Sequence, residues 1–215
     1  MNDMTSKKNV LSNKVFNLSS FFDLKFRILK RTMDIFFSLI GLIVTFPLVL
    51  LIVVLIKLET KGPWLYKQDR IGVKGRKFTI YKLRSMFKDA EKDGIHWTEE
   101  NDPRVTKIGK FIRKTRIDEI PQLFNILIGD MSIVGPRPER PFFIKIFNKE
   151  LPMYKERLTI KPGLTGLAQV NGGYNLTPKE KLHLDLYYIK NKNLLVDIKI
   201  IIKTIKVIFT LEGAR

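Results

Sequence analysis

The residues that could do chemistry gather in one stretch, 116–138, reading "RIDEIPQLFNILIGDMSIVGPRP". Two adjacent carboxylates, Asp118 and Glu119, stand just ahead of Pro121. Arg113 and Arg116 precede them, and Arg137 follows between Pro136 and Pro138. Acids among arginines suit phosphate chemistry. Carboxylates can hold Mg²⁺, which binds through one or two of them plus phosphate oxygens. An aspartate can also attack phosphorus to give an aspartyl phosphate, and arginine's planar fork matches phosphate oxygens two at a time. A plainer reading is a helix start, since Asp and Glu are favoured beside the unpaired N–H groups there. Pro121 fits the first turn of a helix over "QLFNILIG", and Gly129 fits its C-terminal cap. Because those N–H groups can also hold a phosphate, the local pattern leaves both readings open.

Composition narrows the choice. The chain has 215 residues and a formal charge of +18, which calls for an anionic partner: nucleic acid, a phospholipid surface or a phosphorylated substrate. There is no cysteine, which removes disulfides, thiol catalysis and thiolate metal sites. With only His96 and His183, a histidine-rich metal centre or histidine-based triad has too few members.

The elements that would position these residues begin with "IFFSLIGLIVTFPLVLLIVVLI", 35–56, a run of 22 residues without a charge. It is long enough to cross a hydrocarbon core of about 30 Å. It starts too late and is too long for a signal peptide. Pro47 near its middle removes a helical hydrogen bond and can kink or break the helix. Both flanks are basic: residues 1–34 hold seven Lys/Arg against three acids, and residues 57–84 hold nine against two. The positive-inside bias therefore places both ends in the cytoplasm. A helix that enters, bends at Pro47 and returns satisfies both clues; a kinked single-pass helix is the other reading. Trp64 and Tyr66 are placed to sit at headgroup depth.

Residues 1–28 read as a polar, poorly ordered or surface-lying extension, 29–60 as the membrane helix, and 61–215 as the membrane-associated catalytic domain. "GVKG" between two strand-like stretches in 65–86 predicts a β-hairpin. Residues 90–104 form a charged loop, and 105–116 a short basic amphipathic helix. "PGLTG" (162–166) and "NGG" (171–173) mark turns. "LLVDIKIIIKTIKVIF" (194–209) predicts an amphipathic helix with Lys199, Lys203 and Lys206 on one face. Such a helix suits a membrane interface; a core-packed surface helix with a solvated lysine edge is the alternative. The fold class expected is α+β, mainly helical: a monotopic protein with a re-entrant N-terminal helix, a small β-hairpin and amphipathic interface helices.

The blocks "KRTMDIFFSLIG", "QDRIGVKGRKFTIYKLRSM", "NDPRVTKIGKFIRKTRIDEIPQLFNILIGDMSIVGPRP", "RLTIKPGLTGLAQVNG" and "KLHLDLYYIKNKNLLVDIKIIIKT" together resemble the bacterial sugar transferases. These are small monotopic polyprenyl-phosphate phosphoglycosyl transferases, and the likeness runs from about Lys30 to Phe209. It implies transfer of a sugar 1-phosphate from a UDP-sugar to undecaprenyl phosphate, releasing UMP, at the cytoplasmic face of the inner membrane. It further implies that Asp118 is the nucleophile and an Mg²⁺ ligand, and that Glu119 assists proton handling and orientation. Arg113 and Arg137 would lie around the substrate phosphates, with Lys82 and Asp185 as nearby polar positions. The partners implied are the UDP-sugar, undecaprenyl phosphate and an anionic membrane surface, with no nucleic acid. "RPERPFF" with the block after it is closer to the exopolysaccharide- and capsule-initiating branch than to the protein-glycosylation branch. The family's membrane helix breaks at a Ser-Pro or similar pair, whereas here Phe46 precedes Pro47 and Thr45 is the adjacent hydroxyl. The competing function is a non-catalytic, membrane-anchored basic module that binds anionic lipid or nucleic acid; it explains charge and anchor but not "DE" with "GPRP".

Overall fold

The structure, a computed structural model, describes residues 2–92, 94 and 102–210, with backbone alone for 2–23 and 174. Most of the charged loop expected over 90–104 lies outside the described residues. The elements are α1 (Asn2–Glu59), β1 (Leu65–Ile71), β2 (Lys77–Leu83), α2 (Lys107–Lys114), α3 (Gln122–Ile128), β3 (Ser132–Val134), α4 (Pro141–Glu150), β4 (Gly163–Thr165), α5 (Leu167–Val170), α6 (Pro178–Asn191) and α7 (Leu194–Thr210). The chain is mainly helical with one antiparallel hairpin, β1–β2, as its sequence indicates.

Helix α1 is one helical run. Residues expected to form a separate extension continue directly into the apolar segment, and the run also continues through Pro47, where a break was expected. Proline removes only its own bond, to the carbonyl four residues back. Thr45 Oγ1 donates to Gly41 O at 2.6 Å, so the hydroxyl near the proline serves a carbonyl earlier in the helix than the one Pro47 leaves free. The outer face around the proline is apolar and exposed, with Ile43, Val44, Phe46, Leu50 and Leu51 uncovered.

Both ends of the apolar segment are fastened to the same body. At the near end, Asp34 accepts from Ser132 Oγ at 3.1 Å and from Ile133 N at 2.9 Å on β3. Close by, Lys30 pairs with Asp197 of α7 at 2.6 Å. At the far end, Ile52 and Ile56 are buried with Leu83 and Ile112, and Trp64 packs against that cluster. Trp64 therefore spends its ring on the core, and Tyr66 accepts a hydrogen bond from Gln68 Nε2 at 2.6 Å.

Two long-range features set the frame for the site. β3 pairs in parallel with β4, aligning Ser132 with Gly163 and Val134 with Thr165. The sequence reading of "PGLTG" as a turn missed this strand, because a three-residue parallel strand carries no local pattern of its own. Gly163 permits the close approach: a Cβ there would lie 2.1 Å from Gly135 N. Fully buried Asn125 of α3 then joins the free edge of β2, donating from Nδ2 to Thr79 O at 2.8 Å and accepting from Tyr81 N at 3.1 Å. A side chain thus replaces a missing strand partner and fixes α3 beside the strand that carries Lys82.

Helix α7 shows three faces. Asp197 and Ile200 are buried, Lys199, Lys203 and Lys206 are exposed, and Leu195, Ile198, Ile202, Ile205 and Phe209 form a separate exposed apolar stripe.

Candidate active site

Asp118 and Glu119 do not cap α3. They occupy a 3₁₀ turn, Ile117–Glu119, just before it, while the N-cap residue of α3 is Pro121, with no side-chain cap. Gly129 ends α3 at φ 101°, the left-handed cap expected from the sequence. The turn is set by Arg116, which is held at φ 59°, ψ 14°. A non-glycine residue there is strained by about 1–2 kcal/mol, and the kink turns both following carboxylates inward. Both are buried.

The two acids have different surroundings. Glu119 is gripped on both oxygens: Lys82 Nζ donates to Oε1 at 2.9 Å, Arg137 Nη2 donates to the same oxygen, and Arg137 Nη1 reaches Oε2 at 3.4 Å. Among the described residues Asp118 has a single cation within ion-pair distance, Lys82, at 3.8 Å. Burial drives the Asp118 carboxyl up to about 6, against the pull of Lys82 and, further off, Arg113 and Arg137. Burial also acts on Glu119, but Arg137 and Lys82 outweigh it and hold that carboxyl well below the usual range. Glu119 is therefore a fixed anion, and Asp118 the carboxylate with oxygens left to offer.

Arg137 sits on a rigid loop. Four consecutive carbonyls are held by four different donors: Pro136 O by Gly163 N at 2.9 Å, Arg137 O by Arg157 Nη2 at 3.1 Å, Pro138 O by Arg70 Nη1 at 3.0 Å, and Glu139 O by Ile71 N at 3.0 Å. Prolines restrict the backbone locally; these bonds fix where it lies.

Of the site residues read from the sequence, the structure brings Asp118, Glu119, Lys82 and Arg137 into one cluster. Arg113, in the last turn of α2, contributes its charge to Asp118. Asp185 lies beside this cluster: it is buried and accepts from Arg157 Nε at 2.7 Å, while Arg157 Nη1 donates to Tyr154 OH at 2.5 Å. Sequence reasoning missed Arg157, since nothing in "ERLTIKPG" distinguishes a buried arginine from a surface one. Beyond Arg137 lies an open cleft with ≈ 450 Å³ of empty space, lined by Arg116, Arg137, Arg157, Gln169, Lys181 and Asp185 among others.

Among the described residues no three His, Asp or Glu side chains converge as a metal cage. The donor set suits a hard cation taken through one carboxylate, Asp118, completed by phosphate oxygens and water, which is the usual habit of Mg²⁺.

The bacterial sugar transferase family matches residues 25–211, and the chain belongs to that family. It is 47% identical over 190 residues to a UDP-N-acetylgalactosamine-undecaprenyl-phosphate N-acetylgalactosaminephosphotransferase of Aeromonas hydrophila, covering 87% of this chain and 45% of that protein. A UDP-glucose:undecaprenyl-phosphate glucose-1-phosphate transferase of Klebsiella pneumoniae is 39% identical over 183 residues, 83% of this chain and 39% of its own length. The exopolysaccharide production protein PSS of Rhizobium leguminosarum is 40% identical over 187 residues, covering 83% of this chain and 94% of the relative. The chain thus spans less than half of the first two relatives and nearly all of the third.

Proposed function

We propose that this protein transfers a sugar 1-phosphate from a UDP-sugar to undecaprenyl phosphate, giving the undecaprenyl-diphosphate sugar and UMP. The observation that carries the reading is the unequal dyad: Glu119 saturated by Lys82 and Arg137, Asp118 buried beside it with uncommitted oxygens. A basic module that merely binds anions has no use for two buried carboxylates among its cations.

The step proposed is a double displacement. An Asp118 oxygen attacks the sugar-bearing phosphorus, the bond from that phosphorus to the oxygen bridging it to UMP breaks, and UMP leaves with that electron pair. The lipid phosphate oxygen then attacks the same phosphorus, and the bond to Asp118 breaks, restoring the carboxylate. Splitting one transfer into two spares the site from holding a water-soluble and a lipid substrate together. Arg137 and Lys82, positioned by Glu119, offer fixed positive charge where phosphate charge collects, which is most of what phosphoryl transfer asks of a protein. Mg²⁺ held through Asp118 would add charge neutralisation on the diphosphate.

The membrane placement follows from where α1 is fastened. A helix crossing a bilayer puts its ends on opposite sides, yet Asp34 near one end and Ile52, Ile56 and Glu59 near the other touch one folded body. This fastening supports a segment that inserts from one face without crossing. The exposed apolar stripe of α7, flanked by lysines, suits the same interface, and the basic flanks favour the cytoplasmic leaflet of the inner membrane. Exopolysaccharide or capsule initiation is the pathway class that fits.

The test is UMP release from membranes holding the protein, with Mg²⁺, undecaprenyl phosphate and a panel of UDP-sugars, against Asp118→Asn. Intact-mass measurement without the lipid acceptor should show a phosphosugar adduct that Asp118→Asn lacks. Persistent UMP release in the variant would remove Asp118 as nucleophile.

A further inference from the structure

The cleft beyond Arg137 has no role in the chemistry derived above, yet it shares a wall with it. Arg137 lines the cleft and also grips Glu119. A group leaving the phosphorus attacked by Asp118 departs on the side opposite the nucleophile, and the cleft offers it a place. The six named lining residues carry four cations, Arg116, Arg137, Arg157 and Lys181, against one acid, Asp185.

Gln169 is the second observation. It is about nine-tenths buried on the cleft wall, and among the described residues neither its Nε2 nor its Oε1 has a hydrogen-bond partner. A buried amide with both ends unsatisfied is rare and costly, and calls for a partner. Its oxygen lies back toward Gly166, where a Cβ would come within 2.7 Å of it. Turning the amide into the cleft therefore breaks no hydrogen bond and gains whatever a ligand offers. A primary amide presents a donor and an acceptor side by side. The matching ligand group is a ring imide or amide, whose N–H and C=O also lie side by side; a sugar acetamido group holds them on opposite sides.

We propose that this cleft holds the nucleoside-monophosphate half of the donor, with Lys181 on its phosphate side and the Gln169 amide paired to the edge of the pyrimidine base. The proposal rests on the phosphosugar-transfer reading and names a recognition site within it. Gln169 acts here as a specificity residue and Lys181 as a phosphate-binding one.

The test is inhibition of wild-type, Gln169→Leu and Lys181→Ala enzyme by UMP and by ribose 5-phosphate, which lacks the base, at fixed UDP-sugar. Gln169→Leu should weaken UMP about tenfold and leave ribose 5-phosphate unchanged; Lys181→Ala should weaken both. Equal UMP inhibition in all three enzymes, with wild-type turnover intact, would overturn the cleft assignment while leaving the reaction standing. An effect of Gln169→Leu confined to acetamido-sugar donors, with UMP unaffected, would overturn the base assignment. Gln169→Met, which keeps length and volume but has no donor or acceptor amide, guards against a folding defect: it should fold as wild type and still lose UMP affinity. Failure of the reaction reading would show differently, as no turnover with any donor in the wild type.

Discussion

Arg31 and Glu59, near opposite ends of the apolar segment of α1, bracket the Asp118–Glu119 turn from outside. Arg31 donates to the last carbonyls of α3, Ile126 O at 2.6 Å and Leu127 O at 2.7 Å. Glu59 accepts from the first N–H groups of α2, Lys107 at 2.7 Å and Ile108 at 3.1 Å. Each charge meets the helix end whose dipole favours it, and the Asp118–Glu119 turn lies between those two helices. Helix α1 thus holds the frame of the site. Arg84 completes the arrangement by binding the end of α1 itself through Thr60 O and Lys61 O, each at 2.9 Å.

Glu59→Ala should lower stability by about 1–2 kcal/mol, the usual cost of a lost N-terminal cap. It should also reduce turnover per folded enzyme, with Glu59→Gln intermediate because it keeps an acceptor but not the charge. Thermal unfolding and turnover in the same detergent measure both. Wild-type turnover in a destabilised Glu59→Ala would show that the clamp serves stability alone.

Arg137→Lys keeps the charge and loses the two-point grip on Glu119. Turnover should fall about 100-fold, the scale on which small misplacements act, with little change in unfolding temperature. Glu119→Gln should do more, because it strands Lys82 and Arg137 together in a buried site. An Arg137→Lys enzyme within a few-fold of wild type would show that charge, not geometry, is what Arg137 supplies.

The parts of this site legible in the sequence are those whose cause is local. Pro121 and Gly129 bound α3, "GVKG" turns the hairpin, and the uncharged run marks the membrane segment. Asp118 and Glu119 stood out, but only the fold shows that they do not cap α3, through the Arg116 kink and the two cations that meet Glu119 from β2 and the 135–140 loop. Asn125 completing β2, β4 pairing with β3, and Arg157 binding Arg137 O all join residues far apart in sequence. No local pattern encodes such partners, so the sequence places Asp185 near the site without revealing that its carboxylate pairs with Arg157.

That last pair gives a non-additive expectation. Asp185→Asn leaves Arg157 buried without its carboxylate and should cost about 3–5 kcal/mol. The double variant Asp185→Leu/Arg157→Met should recover most of that stability, since well-packed apolar residues often replace a buried ion pair without loss. Turnover should not recover with it, because Arg137 O loses the donor that fixes its loop. Recovery of both in the double variant would reduce the pair to packing.

The buried Asp118 carboxyl, pushed up to about 6, sets a pH dependence of stability. Its ordinary value is about 3.9, so the folded state prefers the protonated form. The stability this gives is fully present below the unfolded value and is lost as pH rises through 6. Without Mg²⁺, the wild type should lose about 2 kcal/mol relative to Asp118→Asn between roughly pH 4 and 6.5. Unfolding midpoints across that window measure the difference; a gap that does not change with pH would contradict the burial of Asp118.

The absence of cysteine allows a direct test of how α1 meets the bilayer. Lys25 precedes the apolar segment and Lys61 follows it, and both side chains are exposed. Since the flanks touch one body, Lys25→Cys and Lys61→Cys should both react with a membrane-impermeant maleimide from the cytoplasmic side, in inverted vesicles and not in intact cells. Labelling from opposite sides would mean that the segment crosses. It would also require the bonds of Asp34 to β3, or those of Glu59 to α2, to be absent in the membrane, since one folded body cannot hold both ends of a crossing helix.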